Sequence, residues 1–353
     1  MSQDQAIRFT YLSQEDLLEA GCFDFRLVIE AAESSLLAHP RGDVIFPEKV
    51  VQIFNEETQE RINCLPATLR AENVCGVKWV SVFPPNVPRF GLQNLTAVFI
   101  LSEIEKGFPL AVLEGTLASN MRVGAVGALA ARHFAPAEAR TIGFIGSGEQ
   151  AKMHLLAMKA VRPSLVECRV SAKTAEEERE FVRQMESILP EVEFVPAGTD
   201  GARAMEGADI LVTATSAQAP LLRAAWMKPG SFYSHVGGWE DEYDVARKCD
   251  KIVCDHWDTV KHRTQTLSRM YQDGELRDAD IYANLDEVVA GEKPGRERDD
   301  ERVYFNAVGL AFVDVAIALA MYRRAVEAGK GQELTLQETM IFDHPRIADY
   351  ARL

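Results

Sequence analysis

The chain of 353 residues lacks the features that mark several classes of protein. It has no apolar run long enough to span a membrane, and its first residues show neither the basic nor the apolar region of a secretory signal peptide. Basic residues are in the minority, since 38 Lys and Arg against 53 Asp and Glu give a formal net charge of -15. A surface of this sign does not attract nucleic acid or anionic membranes. We therefore expect a cytoplasmic protein with no nucleic acid and no membrane among its partners.

The spacing of the cysteines also does not indicate a disulfide framework or a metal site. The six cysteines are scattered and contain no C-x-x-C pair, so we expect reduced thiols in the core and no metal site. Internal repeats and low-complexity tracts are absent as well. The composition, 47% hydrophobic and 26% charged, is that of an ordinary globular protein, and the length favours two domains.

The pattern of the chain changes after its first third. Up to residue 121, short alternating segments are separated by turn signals such as Pro84-Pro85-Asn86, which indicates an α+β module rich in antiparallel strands. From Arg140 onward, apolar runs alternate with helical patterns, which is typical of a doubly wound parallel sheet. A long apolar segment, residues 308–328, then returns the chain to the first domain. We predict an α/β protein in which residues 1–121 and 329–353 form the α+β domain and residues 122–328 a Rossmann-type domain.

A glycine-rich turn joins a predicted strand to a predicted helix. The apolar run of residues 142–145 stops at a G-x-G-x-x-A motif, which consists of Gly146, Ser147, Gly148, Glu149, Gln150 and Ala151. Gly146 permits a tight turn, Gly148 places no side chain between the backbone and a pyrophosphate, and Ala151 lets helix and strand touch. The helix N-terminus presents unpaired N–H groups to the phosphates. In this context the motif predicts a dinucleotide-binding site.

The second strand of this domain indicates which dinucleotide is preferred. It should end near Ser171, where NAD-dependent enzymes carry an acid for the ribose hydroxyls. This chain has Ser171, Lys173 and Thr174 there instead. A hydroxyl followed by a cation suits a 2′-phosphate, so we predict that NADP(H) is favoured over NAD(H). The ends of the fourth and fifth strands should flank the cofactor with Thr213, Ala214, Thr215, Val236 and Gly237.

Six further short sequence motifs occur along the chain. They are Gly76-Val77-Lys78-Trp79, Gly91-Leu92-Gln93-Asn94, Gly107-Phe108-Pro109-Leu110, Met121-Arg122-Val123-Gly124, Lys293-Pro294-Gly295-Arg296 and Asn306-Ala307-Val308-Gly309. Together with the glycine turn, they make the chain resemble the ornithine cyclodeaminase/mu-crystallin family over about residues 44–322. The resemblance implies nicotinamide chemistry at the Cα–N bond of an L-amino acid or its imine. It also implies a homodimer whose α+β domain serves dimerisation and substrate binding, but it does not name the amino acid.

Lys78 is the first candidate for the chemistry. It lies in an otherwise apolar predicted strand, and because an unpaired ammonium is costly to bury, it must face a partner, a cleft or water. A solvated strand face is the alternative from the residues alone. The resemblance implies that Lys78 is catalytic and moves a proton at the amino or imine nitrogen. It also implies that Arg122 binds the substrate carboxylate through its guanidinium fork. Further substrate-binding residues implied by the resemblance are Lys49, Asn94 and Gly309.

One position departs from the family pattern. Cyclodeaminases and several dehydrogenases carry an Asp after the glycines of the fifth strand, whereas this chain has Trp239. We predict that Glu240 or Asp241 replaces it as the base, with His235 as a further candidate. A charge cluster at a helix start is the alternative reading of these acids.

The favoured function is therefore an amino-acid dehydrogenase or imine reductase. An ornithine cyclodeaminase-type ammonia lyase with tightly bound NAD is one alternative. A non-catalytic, crystallin-like protein that binds NADP or another small molecule is the second.

Overall fold

The structure is a computed structural model that describes residues 6–352. Residues 1–5, where the sequence shows no signal-peptide pattern, and Leu353 lie outside the described residues. Within the described part the strands are, in chain order, β1 (Ile7–Leu12), β2 (Val44–Ile45), β3 (Val50–Asn55), β4 (Glu60–Leu69), β5 (Val74–Val82), β6 (Leu95–Glu103), β7 (Pro109–Glu114), β8 (Thr141–Ile145), β9 (Glu167–Ser171), β10 (Glu193–Pro196), β11 (Ile210–Thr213), β12 (Gln218–Leu222), β13 (Phe232–His235), β14 (Trp239–Asp241), β15 (Lys251–Cys254), β16 (Ala283–Asn284), β17 (Val303–Asn306) and β18 (Gln332–Gln337).

The α-helices are, again in chain order, α1 (Gln14–Glu19), α2 (Phe25–Ala38), α3 (Asn86–Phe90), α4 (Thr116–Phe134), α5 (Glu149–Val161), α6 (Ala175–Ile188), α7 (Gly201–Met205), α8 (Tyr243–Arg247), α9 (Trp257–Val260), α10 (Thr266–Gln272), α11 (Leu285–Val289), α12 (Ala311–Glu327) and α13 (Ile347–Tyr350). Among residues 6–352, no helix is both long and apolar enough to cross a membrane.

Two compact units divide the chain, and each is considered by itself. The first comprises the residues up to Asp24, Gly42–Ser119 and the residues from Ala311 onward. The second comprises Phe25–Arg41 and Asn120–Leu310. By packing, α12 thus belongs to the first unit and α2 to the second, because α2 lies against α5 and α11. The functional division into residues 1–121 with 329–353 and residues 122–328 stays a prediction.

The first unit is built on a mixed sheet with strand order β18-β1-β7-β6-β5-β4-β2, and β3 pairs with β4. Because side chains alternate between the two faces of a sheet, each strand contributes to an inner and an outer row. The inner row is buried and consists of Leu65, Lys78, Phe99, Leu113 and Leu12. Helix α12 covers this face by packing on β4 and β5. Gly76 permits the approach, since a Cβ there would lie only 3.0 Å from Val315.

The opposite face of the same strands is apolar but exposed. Its residues, which we name the outer apolar row, are Trp79, Val98, Ile100 and Tyr11, each between 41% and 45% exposed. Trp79 pairs with Val98 across β5 and β6, and Val112 on β7 links Ile100 to Tyr11. A continuous apolar surface therefore runs over four neighbouring strands.

The second unit contains a parallel sheet with strand order β10-β9-β8-β11-β13-β17-β15-β16. Its first strand, β8, has β9 on one side and β11 on the other, so the winding direction reverses at β8. This is the topological switch point of a doubly wound fold. The Rossmann-type architecture predicted from the sequence is confirmed. As predicted, β8 ends directly before the glycine turn and β9 ends at Ser171. The short parallel pair β12–β14 lies outside the main sheet.

Candidate functional site

The glycine turn after β8 joins the ends of three strands. Gly146 has a φ of 105°, a conformation that favours glycine, and a Cβ there would lie 2.5 Å from the carbonyl oxygen of Ala214. Its N–H donates to the main-chain oxygen of Ser171 at 2.8 Å, and Ala214 N–H donates to Ile145 at 3.0 Å. The predicted cofactor-binding residues on β8, β9 and β11 are thus brought together at the carboxyl edge of the sheet.

The space in front of helix α5 is open. Gly148 is the N-cap of this helix and is exposed, and a Cβ built on it would meet no atom within 4 Å. The next turn of the helix packs closely instead, because Ala151 is wholly buried. Gln150 points back to α4, where its Nε2 donates to Asn120 at 3.0 Å. This arrangement fits a pyrophosphate at the helix N-terminus, with no side chain at Gly148 to exclude it.

The residues that follow β9 differ in exposure. The side chain of Ser171 is buried, whereas Lys173 and Thr174 are exposed. Thr174 caps helix α6 by accepting a hydrogen bond from Glu177 N–H at 3.2 Å. Lys173 therefore presents a cation directly after the second strand of the sheet.

A buried carboxylate connects the loops after β11 and β13. Glu240 is wholly buried and accepts hydrogen bonds from Thr213, Thr215 and Gly237, at distances between 2.6 and 2.8 Å. These partners are residues that the sequence predicts to flank the cofactor. Glu240 therefore contacts the loops that are predicted to flank the cofactor. It does so from the protein interior and not from the surface of these loops.

Asp241 is buried in a neighbouring polar cluster. Its Oδ1 accepts from the hydroxyl groups of Thr266, Tyr304 and Tyr233 at 2.6, 3.1 and 3.3 Å. Burial raises the pKa of Asp241 to about 6. The imidazole of His235 lies beside this cluster, 2.9 Å from the Tyr304 hydroxyl. As placed, the predicted base candidates Glu240, Asp241 and His235 are enclosed by protein.

Trp239 occupies the position at which the chain departs from the family pattern. It begins β14 and pairs with Gln218 of β12. Its indole ring is half-buried, and the guanidinium of Arg269 lies 4.8 Å from the ring centroid. A cation on an aromatic face thus lies at the position where the family resemblance implies an Asp.

Arg122 packs against the turn after β17. Gly309 has a φ of 88°, and any Cβ there would overlap the guanidinium of Arg122. The turn is fixed by Asp255, whose Oδ2 accepts from the N–H groups of Gly309 at 2.7 Å and Val308 at 2.9 Å. Burial raises the pKa of Asp255 to about 6, although these bonds and the charge of Arg122 oppose the rise. Arg122 and Gly309, two of the predicted substrate-binding residues, are therefore in contact.

Sequence reasoning did not single out Asp255. The available signal was its place directly after a buried strand, β15, because the carboxyl edge of a parallel sheet collects functional side chains.

In the first unit, Lys78 is buried and paired. Its Nζ lies 2.7 Å from Oδ2 of Asp314 on α12, and the two side chains are 3% and 0% exposed. The other predicted substrate residues of this unit occupy loops: Lys49 is half-buried before β3, and Asn94 is exposed before β6. Within residues 6–352, no group of three or more His, Cys, Asp or Glu side chains is arranged to hold a metal ion.

A doubly wound parallel sheet with a glycine turn at its switch point defines the Rossmann class of dinucleotide-binding folds. The family model described as the ornithine cyclodeaminase/mu-crystallin family matches residues 14–329, and the chain belongs to this family. The resemblance inferred from the sequence is thereby confirmed.

Two curated relatives span almost the whole chain. N-((2S)-2-amino-2-carboxyethyl)-L-glutamate dehydrogenase of Staphylococcus aureus is 27% identical over 92% of this chain and 98% of its own length. Alanine dehydrogenase of Archaeoglobus fulgidus is 31% identical over 92% of this chain and 97% of its own.

Two solved structures share the fold. Delta(1)-pyrroline-2-carboxylate reductase of Thermococcus litoralis, in complex with NADH and L-proline, has a TM-score of 0.86 and 30% identity, covering 92% of this chain and 99% of its own. An archaeal alanine dehydrogenase dimer with bound NAD has a TM-score of 0.85 and 28% identity, covering 94% of this chain and 100% of its own.

Proposed function

We propose that this protein is an NAD(P)-dependent oxidoreductase that acts on the Cα–N bond of an L-amino acid or its imine. The observation that carries the proposal is the open space before helix α5, where Gly148 leaves room for a pyrophosphate at the switch point of the sheet. The substrate class is supported by relatives named as an alanine dehydrogenase and a Delta(1)-pyrroline-2-carboxylate reductase. When bound, the nicotinamide accepts or supplies the hydride, and the protein's own residues handle binding and proton transfer.

The cofactor is proposed to lie along the carboxyl edge of the parallel sheet. The N–H groups at the start of α5 would bind the pyrophosphate, and the loops that contain Thr215 and Gly237 would flank the remainder. Lys173 supports a preference for NADP(H) over NAD(H), because its exposed ammonium follows the second strand without an intervening acid. A ribose hydroxyl gains little from such a cation, whereas a 2′-phosphate gains a charge-assisted contact.

The substrate carboxylate is proposed to bind Arg122. Its guanidinium is largely buried against the Gly309 turn, which limits its rotation and orders its planar donor fork. Lys78 is proposed to donate or accept the proton at the amino or imine nitrogen. The Asp314 carboxylate holds the Lys78 ammonium in place and balances its charge in a row of apolar side chains.

A homodimer is proposed on the outer apolar row. Contiguous exposed apolar surface of this kind marks interaction sites, and a second copy of the same row supplies a matching surface. The archaeal alanine dehydrogenase that shares the fold is itself a dimer. We also propose a cytoplasmic location, since the cysteines among the described residues are all free thiols.

A substrate screen tests the function. The purified protein is incubated with a panel of amino acids, and separately with cyclic imines, each with both cofactors, while NAD(P)H absorbance is followed. A dehydrogenase or imine reductase changes the absorbance in step with product. A cyclodeaminase releases ammonia without net change, and Trp239 in place of the family Asp speaks against that reaction. Cofactor that fails to bind wild-type protein would refute the proposal.

A further inference from the structure

The carboxylate of Glu240 uses all of its acceptor capacity inside the protein. Oε1 accepts from the N–H and the hydroxyl of Thr215, both at 2.6 Å. Oε2 accepts from the hydroxyl of Thr213 at 2.8 Å and the N–H of Gly237 at 2.7 Å. A carboxylate offers about four lone-pair positions, and four donors occupy them here. Glu240 is also wholly buried, so neither oxygen faces solvent.

The four donors come from two separate loops. Thr213 and Thr215 lie where β11 ends, and Gly237 lies after the end of β13, the neighbouring parallel strand. The two loops are in close contact at Gly237. A Cβ at this position would overlap the carbonyl oxygen of Thr215 and lie 2.6 Å from the Glu240 carboxyl carbon. A single buried charge therefore sets the spacing between the two loops.

These contacts are incompatible with a base that approaches the substrate. A general base needs a lone pair within reach of the proton that it removes. To provide one, Glu240 would have to break charge-assisted bonds that are among the strong hydrogen bonds in proteins.

We propose that Glu240 is a positioning residue for the cofactor: it clamps the loops after β11 and β13 at the separation that the bound dinucleotide requires. The inference rests on the proposed function, because it takes these loops to flank NAD(P)H. It gives Glu240 a role in cofactor affinity and none in proton transfer.

The test compares Glu240→Gln with a matched control, Glu301→Gln. Glu301 is an equally buried acid in the same unit, 2% exposed, but it lies 3.4 Å from Lys251, which begins β15 at the amino edge of the sheet. In Glu240→Gln, an NH2 group replaces one of the two carboxylate oxygens. This donor would face the N–H or O–H donors of the loops. We expect the Kd for NADPH, from fluorescence titration, to rise about tenfold to a hundredfold, because two charge-assisted bonds are lost.

At saturating NADPH, kcat of Glu240→Gln should stay within about threefold of wild type. The excess of cofactor fills the weakened site and so restores the separation of the two loops. Glu301→Gln should bind NADPH like wild type. A Glu240→Gln variant with unchanged Kd overturns the inference. So does a kcat loss of about a hundredfold or more at saturation, which would indicate a base.

A second variant keeps the test decisive if Glu240→Gln does not fold. Thr213→Val preserves the shape of a wholly buried side chain and removes one donor to Glu240. It should weaken NADPH binding about threefold to tenfold, the effect of one buried bond. Unchanged binding overturns the inference. If wild-type protein itself binds neither NADPH nor NADH, the proposed function fails instead, so the two failures are distinguishable.

Discussion

The Nζ atom of Lys78 lies 2.7 Å from Oδ2 of Asp314, and both side chains are buried. Removing two charges from water is costly, and their attraction offsets this cost only when the geometry is good. An ion pair in a row of Leu and Phe side chains is therefore weak evidence of a purely stabilising role. We expect it to be retained because the ammonium serves the reaction.

Replacing Lys78 by Met should abolish most activity. The substitution keeps the bulk of the side chain and removes its charge and protons, so kcat should fall by about two to four orders of magnitude. Cofactor affinity, measured by fluorescence titration, should not change. The single variant also removes one partner of a buried ion pair, so the unfolding free energy should fall by about 3–5 kcal/mol.

The double variant Lys78→Met/Asp314→Asn separates stability from catalysis. With both charges removed, the unfolding free energy should recover towards that of wild type, while activity should remain lost. A double variant with near wild-type kcat would refute the role proposed for Lys78.

Gly148→Val should prevent cofactor binding without unfolding the protein. The backbone at Gly148 has φ -75° and ψ -174°, which any residue adopts, and the new side chain would project into the open space before α5. NADPH titration should show little binding, and the melting temperature should stay close to wild type. Gly146→Val is the comparison variant. The backbone of Gly146 has a φ of 105° and lies close to the Ala214 carbonyl, so this variant should be unstable. Wild-type affinity in Gly148→Val would disprove the site.

Lys173→Ala should discriminate between the two cofactors. Loss of the exposed ammonium should raise the Kd for NADP(H) and spare NAD(H), because the 2′-phosphate alone gains from the cation. Lys248→Ala, which removes another exposed lysine of the second unit, is the control. Equal effects of Lys173→Ala on both cofactors would contradict the preference.

Asp241→Asn should flatten the pH dependence of stability. Burial raises the pKa of Asp241 to about 6 from its usual 3.8, so the folded protein holds the proton more tightly than the unfolded chain. The resulting stabilisation is fully present below about pH 4 and is lost as pH rises through about 6. Asp255 contributes in the same direction. Urea unfolding at a series of pH values should show a smaller decline in Asp241→Asn, and an unchanged decline would argue against the shift.

Trp79→Glu should disrupt the proposed dimer. It places a charge in the outer apolar row, where burial against a second copy would leave it unpaired. Sedimentation velocity should show monomers at concentrations at which wild type is dimeric. Ile188→Glu, at an exposed position of α6 in the second unit, should leave the dimer intact. A dimeric Trp79→Glu variant would place the interface elsewhere.

The sequence predicted the parts of the fold that have a local pattern. Strand β8 was recognisable because an apolar run ends at glycine, and β9 because its spacing from that turn is fixed by the fold. Strand β17 was missed, since four buried residues after a polar loop look the same in a strand or a helix. Its partners, β13 and β15, are set by pairing between distant segments.

The same limit applies to the site. The glycine turn, Lys78 and Arg122 stand out locally or through the family resemblance. The partners of Glu240 do not, because Thr213 and Thr215 are distant in the chain and only folding brings them to the carboxylate. From the sequence, Glu240 is one member of an acidic cluster, and the predicted base role could not be weighed against its burial.

The position of β17 also governs when the protein can fold. It is inserted between β13 and β15 although it follows both in the chain, α12 covers the inner row of the first unit, and β18 pairs with β1. All three elements belong to the last part of the chain. During synthesis, neither unit can acquire all of these elements until residues 303–337 have been made. We therefore expect a chain truncated before residue 303 to complete neither unit and to bind no cofactor.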